Sequence, residues 1–152
     1  NKSNCIEYKN EYQVIKYKYN DSNGLIERDD YSLTGALENK VIYSHENNKR
    51  TITEYDSQGN INWRDISKFD VNCNEIERTE YSGTGDLKWV ANLEYNNNGN
   101  CVKYTLNDLE SKESVEWIYT VDQYGNVVTE NRTGSDGSIL ENKYEYKYYY
   151  LD

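Results

Sequence analysis

The sequence predicts an all-β protein, an antiparallel meander of about ten or eleven short strands assembled from 26-residue double-strand units. Three observations carry that expectation. A turn signal returns every 12 or 14 residues: Tyr55-Asp56-Ser57-Gln58-Gly59-Asn60, Phe69-Asp70 to Cys73-Asn74, Tyr81-Ser82 to Gly85-Asp86, Tyr95-Asn96 to Gly99-Asn100, and Val121-Asp122 to Gly125-Asn126. The residues between turns alternate apolar with polar, the period of a half-buried strand. No proline occurs in 152 residues, which suits ladders in which every amide donates. Because the steps alternate, equivalent positions recur at 26: Tyr55 with Tyr81, Trp63 with Trp89, Phe69 with Tyr95. Units that cannot bury a face alone must stack on their neighbours.

Taken in order, the first third follows the grid through turns near Lys9-Asn10, Asn20 to Gly24, Ser32 to Gly35 and His45 to Asn48. The five strong turns come next, then a degenerate turn from Asn107 to Lys112 and a last one at 133–138. Removing turn residues leaves about seven or eight per strand, or about 25 Å. Between two strong turns, Leu87, Trp89, Ala91, Leu93 and Tyr95 are expected on one face and Lys88, Asn92 and Glu94 on the other. Val115, Trp117, Tyr119 and Val121 repeat this against Ser114, Glu116 and Thr120. Gly59, Gly85, Gly99 and Gly125 stand where a hairpin loop needs a positive φ. Asn60, Asn74, Asn100 and Asn126 close their turns, a residue that tolerates the same region and hydrogen-bonds its own loop.

Composition bounds the class. Leu, Ile, Val and Phe make up only 29 of 152 residues, which with a net charge of -10 would suggest disorder. Seventeen Tyr and three Trp reverse that reading, since each ring can bury roughly 150 to 250 Å² and so replace an aliphatic core. Length fits a single domain over residues 1–152. No stretch is apolar enough to span a membrane as a helix, and a pI near 4.6 argues against nucleic acid and anionic lipid, which require a basic footprint. A basic protein or a neutral ligand stays open as a partner. The absence of Met suggests a processed chain or part of a longer one, and removal of an export signal is one such event.

The motif Tyr-Asp-x-x-Gly-Asn at regular intervals resembles the YD repeats of bacterial Rhs-type proteins, above all the degenerate versions in surface and secreted proteins. The matches are Tyr55-Asp56 with Gly59-Asn60, Tyr95-Asn96 with Gly99-Asn100, Asp122 with Gly125-Asn126 and, more weakly, Phe69-Asp70 with Asn74. They cover roughly residues 43 to 146, with Val121 in place of Tyr and Cys73 in place of Gly. The resemblance implies a strip of hairpins that in large relatives curls into a shell around a toxin. About eleven strands at about 4.8 Å are too few to enclose a folded domain. The expectation is therefore a curled or barrel-like sheet with the Tyr/Trp face inward, or alternatively an open single-layer sheet held by cross-strand pairs.

No constellation announces catalysis, a cofactor or a metal. His45 is the only histidine and falls in an expected turn, without an oxyanion loop to serve a nucleophile. Asp29-Asp30 and Glu75/Glu77 imitate carboxylate dyads, the latter sharing a face if the strand is regular, but 27 acidic residues make such coincidences common. Asp70 to Asn74 lacks the ligand pattern of a helix-loop-helix calcium site. Cys5, Cys73 and Cys101 form no metal-binding pair, although Cys73 and Cys101 lie near turns on one sheet edge where a bridge between them is conceivable. Trp63, Trp89 and Trp117 form the least ordinary feature: buried, the row is core, and exposed, it can stack on sugar rings or seat a partner's apolar residues. Two functions fit. One is a non-catalytic secreted or surface-exposed scaffold or adhesion module with a protein or glycan partner. The other is a small acidic immunity-type protein that masks a basic toxin.

Overall fold

The computed structural model describes residues 5–146, so the ends of the expected domain, 1–4 and 147–152, lie outside the described residues. Twelve strands follow one another: β1 (Cys5–Lys9), β2 (Gln13–Tyr19), β3 (Leu25–Ser32), β4 (Leu37–Glu46), β5 (Lys49–Asp56), β6 (Ile61–Phe69), β7 (Glu75–Ser82), β8 (Leu87–Tyr95), β9 (Cys101–Asp108), β10 (Glu113–Val121), β11 (Val127–Gly134) and β12 (Ile139–Lys143). They form one antiparallel sheet in sequence order, with no helix among the described residues. The count exceeds the expected ten or eleven because the segments outside the first and last turns each form a short strand of their own.

The sheet is open. Contacts between strands run only between sequence neighbours, so β1 and β12 remain edges and the barrel-like expectation gives way to the open single-layer alternative. Short turns of fixed length permit only neighbour pairing. A single layer cannot enclose a large core, and the buried residues are few and mostly on one face, which holds Ile15, Asp30, Val41, Asp65, Ser67 and Ala91, with Thr53 and Thr79 on the other. That face, called the tryptophan face below, also carries Trp63, Trp89, Trp117 and Tyr104, as the cross-strand register shows. The opposite, ladder face carries cross-strand ion pairs such as Lys68–Glu77 at 2.8 Å and Lys103–Glu116 at 2.7 Å.

A regular defect organises the strands. At Ile26, Glu38, Asn62, Ile76, Lys88, Val102 and Val128, each the second residue after a turn, the register slips by one residue. Such bulges bend a strand and raise its twist. Two expectations fail for this reason. Leu87 does not share a face with Trp89, because the extra residue Lys88 puts it opposite Tyr81 on the ladder face. Glu75 and Glu77 do not share a face either, since Ile76 intervenes: Glu75 pairs with Phe69 and Glu77 with Lys68.

Candidate functional site

The turn motif is explained by its own hydrogen bonds. Asp56 Oδ1 accepts the backbone N–H of Gln58 at 2.9 Å and of Asn60 at 2.8 Å, while Oδ2 accepts the Asn60 side-chain amide at 2.9 Å. The backbone closes the loop, with Gly59 N–H donating to Asp56 and Asp56 N–H to Asn60. Asp70 and Asn74 repeat the arrangement at 2.8, 2.9 and 3.0 Å, and Asp122 with Asn126 repeats it again. In the fourth of the five strong turns Asn96 replaces the acid and accepts the N–H of Asn98 and Asn100, both at 3.0 Å. The positive φ falls on Gly59, Gly85, Gly99 and Gly125, as expected, and on Cys73 at 66°. Asn60, Asn74, Asn100 and Asn126 do not enter that region, so the expectation of their backbone tolerance is corrected: in the aspartate turns the asparagine is a clamp on the carboxylate. Hydrogen bonds from Asn60 hold the Asp56 carboxyl below its ordinary pKa, and those from Asn74 do the same for Asp70.

Trp63, Trp89 and Trp117 stand on β6, β8 and β10, on one face, as their spacing predicts. None is fully buried; each is half-buried in a single layer, between the dry and wet readings of the sequence. Arginines complete the row. The Arg78 guanidinium lies 5.5 Å from the Trp89 ring centre, Arg132 lies 5.6 Å from that of Trp117, and Tyr104 packs on Trp117 at 5.1 Å. Such stacking fixes the rings and leaves their outer edges available.

Beneath them lies a charge that sequence reading missed. Asp65 is 1 % exposed and Ser67 0 %. Arg78 Nε donates to Asp65 Oδ2 at 2.6 Å, and the other carboxylate oxygen has no partner among the described residues. Burial is the largest single influence on Arg78 and lowers its pKa, but the hydrogen bond to Asp65 and the attraction of Asp65 and Glu75 together outweigh it and the net shift is upward. Arg50 reaches Ser67 Oγ at 3.1 Å and stacks over Phe69 at 5.6 Å. An aspartate in a chain this acidic reads as surface, and only the cross-strand register puts Arg50 and Arg78 on either side of its neighbour Ser67, with Arg78 within reach of the carboxylate.

The remaining candidates disperse. His45 is exposed at the end of β4 opposite Arg50, not in a turn. Asp29 and Asp30 point to opposite faces, toward Lys40 at 3.4 Å and Arg28 at 2.6 Å. Cys5, Cys73 and Cys101 are free, and the suggested bridge is absent: Cys101 Sγ instead donates to Lys103 O at 3.4 Å. Among the described residues no group of three acidic, His or Cys side chains could hold a metal.

No family model and no curated protein matches the chain. Among solved structures it is similar to S. aureus TarM, at 19% identity over 73% of this chain and 21% of TarM, with a TM-score of 0.31. It is also similar to a Bacteroides fragilis protein with unknown function, at 12% identity over 93% of this chain and 91% of that one, TM-score 0.28. A porin-like protein from Bacteroides uniformis gives 12% identity, 91% coverage of each chain and a TM-score of 0.25. The chain spans about a fifth of TarM's length. Scores this low assign nothing.

Proposed function

We propose that this chain is a non-catalytic bacterial module of the YD-repeat kind, secreted or displayed at the cell surface, that serves as a scaffold and binds a protein or glycan. One observation supports this above the rest. The chain exposes 10794 Å², whereas a compact protein of 17.9 kDa exposes about 8,000 Å². A wide single layer with two open faces offers surface and no enclosed chamber, and its tryptophan face carries the ring and guanidinium groups that dominate recognition surfaces. The test is intrinsic fluorescence during titration with a panel of soluble glycans and basic proteins. A saturable change lost in Trp63→Ala supports the proposal; turnover of any panel member, or no response across the panel, contradicts it.

The net charge of -10 favours a second reading, in which the chain masks a basic toxin. A neighbouring gene whose product is toxic alone and harmless when co-expressed with this chain decides for it.

A further inference from the structure

Three clefts of similar lining run along the sheet border formed by the turns that follow the odd strands, an edge distinct from β1 and β12, on the ladder face and away from the tryptophans. One wall of each is a tyrosine at the end of an odd strand, Tyr31, Tyr55 or Tyr81; the other is a cation from the preceding even strand, Lys16, Lys40 or Arg64. An aliphatic residue of the same even strand floors each one: Val14, Leu37 and Ile61. Their volumes are roughly 250, 380 and 220 Å³. The repeat itself makes them: the tyrosines recur at 24 and 26 residues and the cations at 24. Neighbouring clefts therefore lie two strands apart, about 9.6 Å at the usual strand spacing.

A series of similarly lined clefts at a regular spacing calls for a polymer of the same period. An extended strand presents one face about every 6.7 Å and falls out of step at the second cleft. A polyproline II helix has three residues per turn and advances about 9.3 Å, so every third side chain stays in step across all three clefts. The chemistry agrees. A prolyl backbone offers carbonyl acceptors and no N–H donors, and the walls supply donors: the hydroxyls of Tyr55 and Tyr81, two ammonium groups and a guanidinium. Lys16 already touches Glu7 at 3.6 Å and lies 5.1 Å from the Tyr31 ring centre, and Lys40 touches Glu27 at 3.2 Å and Asp29 at 3.4 Å, but an ammonium carries three protons. Arg64 is exposed and has no ion pair among the described residues. Tyrosine rings beside aliphatic floors are the aromatic-lined grooves on which such helices dock.

We propose that this edge binds a proline-rich segment in the polyproline II conformation, with proline or another compact apolar residue at every third position seated against Tyr31, Tyr55 and Tyr81. These 152 residues contain no proline, so the occupant is not a second copy of them. The proposal uses none of the tryptophans and stands apart from the binding role assigned to their face.

The test is titration with a ten-residue oligoproline, followed by calorimetry and by amide chemical shifts. At about 3.1 Å per residue the probe spans the three clefts. Saturable binding is expected, with shift changes at Tyr31, Tyr55, Tyr81 and their turns. Triproline, filling one cleft, should bind at least tenfold more weakly. Tyr55→Ala should lower affinity tenfold or more, whereas Tyr55→Phe, which keeps the ring and the fold, should lose less. No saturable binding at millimolar probe overturns the proposal, as do shifts confined to the tryptophan face or a soluble glycan that fills these clefts where oligoproline does not. Such a failure leaves the Trp63 titration untouched, so the two readings fail separately.

Discussion

At the scale of single residues, the turns carry the specification. The Asp-x-x-Gly-Asn signal was legible because each member answers a separate need: a carboxylate for two N–H groups, a glycine for φ near 87°, and an asparagine amide for the second carboxylate oxygen. Gly99→Val tests the backbone part. A Cβ there would meet nothing within 4 Å, so the penalty is conformational alone, about 1 to 3 kcal/mol, read as a lower melting temperature. The mirror experiment is Cys73→Gly, which should stabilise by about 0.5 to 1 kcal/mol by relieving a side chain held at φ 66°. Asp56 gives a pH signature. Its folded pKa lies below the ordinary 3.8, so its contribution is fully present above that pH and disappears as pH falls through the depressed value. Melting temperature should therefore drop below about pH 4. In Asp56→Asn that part of the slope should vanish.

At the scale of the strand, periodicity was readable and its interruptions were not. Trp89, Ala91 and Leu93 share a face as their alternation says. Lys88 and Ile76, which shift the register, look like any other strand residue, because a bulge of this kind needs no glycine and leaves no mark in a single sequence. Burial was the least legible quantity. Trp89 read as core and is half-buried, because one layer cannot cover a ring on both sides; Trp89→Ala should cost about 2 kcal/mol, less than the 3 to 5 of an enclosed site. Asp65, which no sequence feature singles out, is the most deeply placed charge among the described residues. Arg78→Ala strands that carboxylate and should destabilise by about 3 kcal/mol, and adding Asp65→Ala should restore much of the loss, because an apolar pair at such a site is tolerated far better than a lone buried charge. A double mutant no better than Arg78→Ala in chemical denaturation would show that the arginine acts by packing on Trp89.

At the scale of the molecule, the alternating 12- and 14-residue steps produce two unlike faces and two unlike edges. Turn aromatics at one edge, Tyr31, Tyr55 and Tyr81, belong to the ladder face, and those at the other, Phe69 and Tyr95, to the tryptophan face. The repeat was legible because it is written in the turns. Closure was not, because whether twelve strands curl until their ends meet depends on twist and bulges summed over the whole sheet, and no residue pair near either end encodes it. The open single layer underlies both binding proposals, since it leaves the tryptophan row and the tyrosine clefts accessible at once. Small-angle X-ray scattering on the chromatographically isolated monomer tests it most directly. An open sheet of twelve strands is about 53 Å wide and about 30 Å tall, which gives a radius of gyration near 18 Å. A value near 15 Å, that of a compact domain of 152 residues, would contradict the open sheet and with it the account of both faces.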